Sequence, residues 1–205
     1  MASPSMTRPA VPGPGGARQR KLRVLGISGS LRRDSHNTEL LRAAATLLPS
    51  GVEFELYEGL RDIPPYDEDE DKSQVESVKH LKARIAEADA VLFATPEYNH
   101  SIPGHLKNAL DWVSRPLAET PLKGKPVAVI GASTGMFGAV WAQAELRKVL
   151  GAIGARVLDA ELPVGMADEI VSDPEKLEES GTHSLLVGLL AELLDMAQPE
   201  VAAAA

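Results

Sequence analysis

Cysteine is absent from all 205 positions of this chain. Without a thiol, the protein can form no disulfide bond, no thiolate zinc site and no cysteine nucleophile. A chain without disulfides is compatible with the reducing cytoplasm, which is where we expect this protein to act.

The chain also has fewer positive than negative residues, and it lacks long apolar runs. The chain has 21 Lys and Arg against 29 Asp and Glu, a formal net charge of −8. This balance disfavours nucleic acid as a partner. No apolar stretch approaches the roughly 20 residues needed to span a bilayer, so we expect no membrane partner either. Hydrophobic residues make up 44% of the chain, which is ordinary for a globular domain with its own core.

The two ends of the chain differ in composition from the middle. Residues 1–20 are rich in Pro, Gly, Ser and Arg, and we predict a disordered N-terminal extension there. Residues 198–205 end in a run of alanines and are predicted to be a frayed tail. The remaining residues, 21–197, are predicted to form one domain.

Strand and helix patterns alternate through this domain. Short apolar runs predict five strands, at 22–28, 52–57, 90–94, 126–132 and 156–159. Helical spacing of apolar residues predicts helices at 38–48, 73–88, 103–113, 137–153 and 174–196, the last with a break at Gly181. The predicted N-caps are Asn37, Ser73 (in a capping box with Glu76) and Asp173. The alternation is typical of a doubly wound parallel sheet, in which ligands bind at the carboxyl ends of the strands.

The loop after the first predicted strand contains Gly26-Ile-Ser-Gly-Ser-Leu-Arg-Arg-Asp-Ser-His-Asn-Thr38. It matches neither the G-x-G-x-x-G dinucleotide fingerprint nor the nucleoside triphosphate P-loop. Its hydroxyls, one amide and arginines at a helix N-terminus suit a single terminal phosphate. The alternative is an ordinary Ser/Gly turn followed by a helix cap.

Two further loops follow predicted strands. The loop from Thr95 to Gly104 carries Tyr98, which can lie against a planar ring, and Asn99, which can bond heteroatoms at the ring edge. The loop from Gly131 to Gly138 holds three glycines, which allow close approach of backbone to a ligand. Taken singly, the first of these could be a rigid surface turn, and the second an ordinary strand-to-helix turn.

Together, the three loops carry a family resemblance. The motifs are Gly29-Ser-Leu-Arg32 with Ser35 and Asn37, Pro96-Glu-Tyr-Asn99 with Pro103-Gly-x-Leu-Lys-Asn-Ala-x-Asp-Trp112, and Ser133-x-Gly135-x-x-Gly138. In this order they resemble the NADPH-dependent FMN reductase family, in its quinone, chromate and azo reductase branch. The resemblance extends over roughly residues 22–196.

The resemblance implies a flavodoxin-like α/β fold, with a five-stranded parallel sheet in the order 2-1-3-4-5 and helices on both faces. It also implies FMN as cofactor and NADPH or NADH as hydride donor. The phosphate-binding residues would be Ser28, Ser30, Leu31, Arg32, Ser35, Asn37 and Thr38. The ring and ribityl contacts would be Pro96, Glu97, Tyr98 and Asn99, with Ser133, Thr134, Gly135 and Gly138 on the other side of the ring. No catalytic side chain and no metal ligand are expected.

The resemblance further implies a ping-pong, two-electron transfer to a small-molecule acceptor, for example a quinone. It also implies a homodimer or homotetramer that involves the helix predicted for 103–113, near Trp112 and Arg115. Alternatively, Trp112 is a partly buried side chain that covers the sheet edge. Two other functions stay open: a flavin reductase that releases reduced FMN to a partner, and a flavodoxin-type electron carrier. The carrier usually has a [ST]-x-T-G-N-T phosphate loop, which this chain lacks. The sequence does not decide between NADPH and NADH.

Overall fold

A computed structural model describes residues 20–70 and 75–198. Apart from residue 20, the extension predicted for residues 1–20 lies outside the described residues, and so do residues 199–205 of the predicted tail. The structure in between is one α/β unit built on a single main sheet.

The sheet has the predicted strand order, β2-β1-β3-β4-β5, and every pairing in it is parallel. A sixth short strand also pairs with β4. The strands are β1 (Leu22–Ser28), β2 (Val52–Tyr57), β3 (Ala90–Ala94), β4 (Pro126–Ala132), β5 (Arg156–Val157) and β6 (Pro163–Val164). The flavodoxin-like order is therefore confirmed.

The strand predicted for residues 156–159 is shorter than expected, and the sequence prediction missed β6. β5 pairs with the beginning of β4 and β6 with its end, so one edge of the sheet is formed in two pieces. Side chains of α4 (Val140–Ile153), the helix between β4 and β5, bind the backbone between the two pieces. Arg147 donates to the Ala160 carbonyl at 3.1 Å, and Gln143 accepts from the Leu162 N–H at 3.2 Å. These contacts replace the strand ladder there.

Helices cover both faces of the sheet, as predicted. On one face α1 and α7 pack against β-strand residues such as Leu92 and Ile130. On the other, α2, α3 and α4 pack against residues such as Phe93 and Val129. The helices are α1 (His36–Leu47), α2 (Glu76–Glu87), α3 (Gly104–Val113), α4 (Val140–Ile153), α5 (Ala167–Ile170), α6 (Pro174–Glu179) and α7 (Thr182–Ala197), with 3₁₀ turns at Gly59–Asp62 and Leu117–Glu119. Among the described residues, none of these helices has the length and apolar character that crossing a bilayer requires.

Several helix starts differ from the predictions. α1 begins at His36, and its N-cap is Ser35 rather than Asn37, because the Ser35 hydroxyl accepts the Thr38 N–H at 3.3 Å. α4 begins at Val140, later than predicted, since Gly138 and Ala139 both have left-handed backbone conformations that a helix cannot include. α2 begins at Glu76, and its predicted cap at Ser73 lies outside the described residues.

Other local predictions are confirmed. Asp173 caps α6 by accepting the Glu175 N–H, and Gly181 separates α6 from α7 with φ of +74°. Trp112, at the end of α3, is fully buried within the chain, and its indole N–H donates to the Pro64 carbonyl at 2.8 Å. Its side chain is therefore not available to an intersubunit contact.

Tyr57, the last residue of β2, generates a prediction about stability at high pH. Its hydroxyl is buried without a hydrogen-bond partner among the described residues, and its ring stacks on His80. Burial, with a smaller effect of Asp62, raises the pKa of Tyr57 to about 12 from 10.0. Because the folded pKa is the higher one, the contribution of Tyr57 to stability is complete below pH 10.0 and is lost as the pH rises to about 12.

In Tyr57→Phe, urea unfolding should therefore show a smaller fall in the free energy of unfolding between pH 10 and about 12 than in the wild type. At neutral pH the variant should be at least as stable, since no hydrogen bond is lost. Tyr98→Phe is the control, because the Tyr98 ring is half exposed. The free energy of unfolding of this control should depend on pH as it does in the wild type. Equal pH dependence in Tyr57→Phe and the wild type would contradict the prediction.

Candidate active site

Three loops meet at the carboxyl edge of the sheet. The first loop (29–35) follows β1, the second loop (95–103) follows β3 and the third loop (133–139) follows β4. Since β1, β3 and β4 are neighbours in the sheet, these loops lie side by side. The loops singled out in the sequence are thus brought together, at the edge where such sheets bind ligands.

Asn37 joins the first of these regions to the third. Its side-chain amide donates to the Ala132 carbonyl at 2.8 Å and its oxygen accepts the Ala132 N–H at 3.0 Å. The residue is buried at the start of α1, although its predicted role was to hold a phosphate. In the structure Asn37 holds α1 against the end of β4, so any effect on a phosphate acts through the position of the loop.

A group of hydroxyls surrounds the N-terminus of α1. The Ser28 hydroxyl oxygen accepts the Thr38 hydroxyl proton at 2.9 Å and the Ser30 N–H at 3.3 Å. The Ser30 hydroxyl in turn accepts the Arg32 N–H at 3.3 Å. These three hydroxyl residues line a surface depression together with Leu31 and several arginines. Hydroxyls, guanidinium groups and a helix N-terminus are the groups that bind phosphate in proteins.

Two side chains from elsewhere in the chain hold the first loop in place, and neither contact was predicted from the sequence. Arg61, in the 3₁₀ turn after β2, donates to the Leu31 carbonyl. His105 Nε2 lies 2.8 Å from the Gly29 carbonyl. Burial lowers the pKa of His105, the Gly29 bond opposes this, and Arg61 adds to the lowering. The ring is therefore neutral at neutral pH and carries its proton on Nε2, which donates to Gly29.

The second loop contains a tight turn. Tyr98 and Ser101 exchange two backbone hydrogen bonds, of 3.0 and 3.1 Å, around Asn99 and His100. Both central residues have positive φ, 54° and 61°, as a type I′ turn requires. Pro96 is buried at the base of this loop, while Tyr98 is 51% exposed. The turn thus presents the Tyr98 ring at the surface of the site.

Glu97 has a role that the sequence analysis missed. Its carboxylate Oε2 accepts the backbone N–H groups of Trp141 and Ala142, both at 3.1 Å. These are first-turn donors of α4, whose own N-cap, Ala139, has no side-chain acceptor. The carboxylate therefore caps α4 from the second loop. The lack of a Ser, Thr, Asp or Asn before α4 was the one sequence signal for a cap from elsewhere.

The third loop is shaped by contact with β6. Gly138 has φ of +56°, and a Cβ there would lie 2.4 Å from the Pro163 carbonyl carbon. Ser133 donates its backbone N–H to the Val164 carbonyl at 3.0 Å and its hydroxyl to the Gly135 carbonyl at 3.2 Å. Gly138 is buried, whereas Thr134 and Gly135 are exposed. Of the predicted residues in this loop, Thr134 and Gly135 are therefore exposed to solvent, while Gly138 is buried against β6.

Large apolar side chains are exposed around the second and third loops. Trp141 packs edge-on against His100 and Phe137, with ring centroids 4.8 and 5.2 Å apart. Phe137 is 63% exposed and Met136 is 81% exposed. An exposed surface of this composition suits a planar aromatic ligand. No group of three or more His, Cys, Asp or Glu side chains within residues 20–70 and 75–198 is arranged to hold a metal ion.

The capping role of Glu97 can be tested by substitution. Glu97→Ala should lower the free energy of unfolding by about 0.5–2 kcal/mol, the usual cost of a lost helix cap. Glu97→Gln keeps an oxygen acceptor and should lose less. Urea unfolding measures both, with the exposed Glu192→Ala on α7 as the control. A Glu97→Ala variant as stable as this control would show that the two hydrogen bonds contribute nothing.

Comparison with known proteins agrees with this geometry. The model of the NADPH-dependent FMN reductase family matches residues 22–169. An NAD(P)H-dependent FMN reductase of Pseudomonas aeruginosa is 49% identical over 130 residues, 63% of this chain and 69% of the relative. A quinone reductase of Escherichia coli K12 is 37% identical over 174 residues, 83% of this chain and 92% of the relative.

A solved structure is also similar. FerB, a flavoenzyme NAD(P)H:(acceptor) oxidoreductase from Paracoccus denitrificans, is 38% identical with a TM-score of 0.73, covering 86% of this chain and 97% of its own. The resemblance inferred from the three loop motifs is thereby confirmed. The chain belongs to the NADPH-dependent FMN reductase family of flavodoxin-like oxidoreductases.

Proposed function

We propose that this protein is an FMN-dependent NAD(P)H oxidoreductase that reduces a quinone or a similar acceptor, such as an azo compound or chromate, in a ping-pong cycle. When bound, FMN supplies the redox chemistry by taking a hydride from NADPH or NADH and returning two electrons to the acceptor. The relatives named as an FMN reductase and a quinone reductase support this function. The protein itself contributes binding, orientation and electrostatics.

The observation that carries the proposal is the pairing of two unlike surfaces at one edge of the sheet. One end has the hydroxyls of Ser28, Ser30 and Thr38 beside the α1 N-terminus, which suits a phosphate. The other end has exposed aromatic and glycine-containing loops, which suit a flat ring. FMN has a phosphate at one end and a planar ring at the other, so the residues present fit this cofactor.

At the phosphate end, the proposed contacts divide into direct and supporting groups. The direct contacts would come from the Ser28, Ser30 and Thr38 hydroxyls, the Leu31 backbone and the Arg32 guanidinium, all of which line the depression. Ser35 caps α1 and Asn37 anchors it to β4, so these two hold the helix N-terminus in place. A guanidinium at this position would add a charge-assisted hydrogen bond to the field of the helix.

At the ring end, the same division applies. Pro96, Tyr98 and Asn99 would contact the ring from the second loop, and Ser133, Thr134 and Gly135 from the third. Glu97 and Gly138 would set the distance between the two loops, Glu97 by capping α4 and Gly138 by packing under β6. Tyr98, Thr134 and Gly135 are exposed, so donor and acceptor would in turn occupy the surface that these residues present. This alternation is the structural basis that we propose for the ping-pong order.

We also propose that the protein acts in the cytoplasm as a homodimer or homotetramer. The exposed apolar side chains of Met136, Phe137 and Trp141 could contribute to a contact between subunits as well as to the ring end of the site. Since Trp112 is buried within the chain, an interface on α3 would have to use other residues of that helix.

An anaerobic titration tests the function. The purified protein is loaded with FMN, its visible spectrum is recorded, NADPH is added, and a benzoquinone follows. We expect the flavin absorbance to bleach with NADPH and to return with the quinone. A flavin that binds without bleaching would instead support an electron carrier. Loss of reduced FMN on gel filtration would support a flavin reductase that releases its product, and failure to bind FMN would overturn the proposal.

The phosphate contact of Arg32 can be tested separately. Arg32→Ala should raise the Kd for FMN at least tenfold, about 1.4 kcal/mol, because a charge-assisted hydrogen bond to the phosphate is lost. Fluorescence titration of the apoprotein with FMN measures this, and riboflavin, which lacks the phosphate, should bind the variant and the wild type equally. An unchanged Kd for FMN would remove Arg32 from the phosphate site.

A further inference from the structure

The segment that contains β6 and leads into α5 lies directly against the third loop, and the sequence analysis assigned it no part in the site. Its backbone and the backbone of the loop are joined by three hydrogen bonds. The donor and acceptor pairs are Ser133 N–H to the Val164 carbonyl and Ala167 N–H to the Ser133 carbonyl, both at 3.0 Å, and Met166 N–H to the Gly135 carbonyl at 3.2 Å. The segment is therefore fixed to the part of the loop that is exposed at the ring end of the site.

Gly165 makes this contact especially close. A Cβ at this position would lie 2.4 Å from the Met136 carbonyl oxygen and 3.0 Å from the Gly135 carbonyl oxygen, so only glycine allows the two backbones to touch. Met136 lies on one side of the contact, and Met166 directly follows Gly165 on the other. Two methionines thus lie at the same corner of the ring end, beside exposed Gly135.

Met166 occupies a position where local structure favours glycine or asparagine. Its φ of +49° is in the left-handed region, and it precedes α5 as an N-cap without a side-chain hydrogen bond. Glycine and asparagine tolerate such a φ and also serve as N-caps. The side chain is 46% exposed, so it is not required to fill the core. Departures from local preference concentrate at functional sites, and a ligand contact would explain this one.

The chemistry of this corner is apolar and adaptable. Met136 is 81% exposed, and Met166 adds a second thioether next to it. Thioether side chains are flexible and polarisable, and they make favourable contacts with apolar and aromatic groups of varied shape. The corner offers an oxyanion such as chromate no such contact. An apolar group attached to an aromatic ring would bury these side chains and gain from the contact.

We propose that Met166, together with Met136, forms a subsite for an apolar substituent of the electron acceptor. Met166 is then a specificity-determining residue, which favours alkylated or polycyclic quinones over unsubstituted ones. The inference rests on the proposed function, since it requires the acceptor ring to lie on the surface presented by Thr134 and Gly135. The subsite begins beyond that ring, so Met166 sets the choice of acceptor without contributing to FMN affinity.

Steady-state kinetics of the FMN-loaded enzyme test the proposal, with benzoquinone and tert-butyl-benzoquinone as acceptors. Met166→Gly removes the side chain and suits both the positive φ and the N-cap position, so the variant should fold. It should lower kcat/KM for tert-butyl-benzoquinone at least about fivefold, because even one methylene is worth about tenfold or more in an enclosed pocket and this surface is partly open. The value for benzoquinone should change less than about twofold.

Two further variants serve as controls. Met166→Leu keeps an apolar side chain of similar size and should retain most of the wild-type preference. Leu117→Ala removes an equally exposed apolar side chain from the 3₁₀ turn between α3 and β4, near the amino edge of the sheet. It should leave both quinones unaffected.

A binding measurement gives a second result that does not depend on turnover. When flavin and quinone are both oxidised no electrons pass between them, so the Kd for each quinone can be read from changes in the flavin spectrum. Met166→Gly should raise the Kd for tert-butyl-benzoquinone by about the same factor as it lowers kcat/KM, with kcat at saturating quinone and the Kd for FMN within about twofold of the wild type.

A second copy of the chain is the other occupant that this apolar corner could have. Slower sedimentation of Met166→Gly than of the wild type would show that Met166 serves an interface between subunits, and would overturn the subsite. Equal losses for the two quinones, no loss for either, or a weaker Kd for FMN would overturn it as well. Failure of the proposed function would be recognised separately, because the wild-type enzyme would then reduce neither quinone.

Discussion

The buried contact between Asn37 and the Ala132 backbone is the interaction on which the site depends most. Two hydrogen bonds, of 2.8 and 3.0 Å, join the first turn of α1 to the last residue of β4. Both backbone groups of Ala132 are buried and would be costly to leave unpaired. This one side chain therefore fixes the distance between the hydroxyl-rich first loop and the third loop, and so between the two ends of the proposed FMN site.

A second constraint acts between the other pair of loops. The Glu97 carboxylate binds the N-terminus of α4, so the second and third loops are joined by a charge-assisted contact and not by packing alone. His100 adds its ring to the same junction, where it packs on Trp141. Several polar residues of the motifs thus build the site, while Tyr98, Thr134 and Gly135 present its surface.

Charge is distributed unevenly over the protein. The chain as a whole carries a formal charge of −8, yet the depression at the first loop concentrates arginines that lack carboxylate partners among the described residues. An acidic surface elsewhere would not attract an anionic nucleotide, so the local concentration matters more than the net charge. Neutral His105 holds the loop without adding to this charge.

The sequence alone determined the alternation of strands and helices and the three loops, because these follow from local periodicity and from motifs that are contiguous in the chain. The sheet order came from the family resemblance that those motifs carry. The roles of Asn37, Glu97, Arg61 and His105 were decided only by the tertiary structure. Asn37 and Ala132 are 95 residues apart, and Gly29 and His105 are 76 apart, so no local pattern reports these contacts. The split of the edge strand into β5 and β6 was hidden for the same reason, since the backbone between them is bound by Gln143 and Arg147 of α4. Local propensity contains no information about a hydrogen-bond partner that is brought close only by folding.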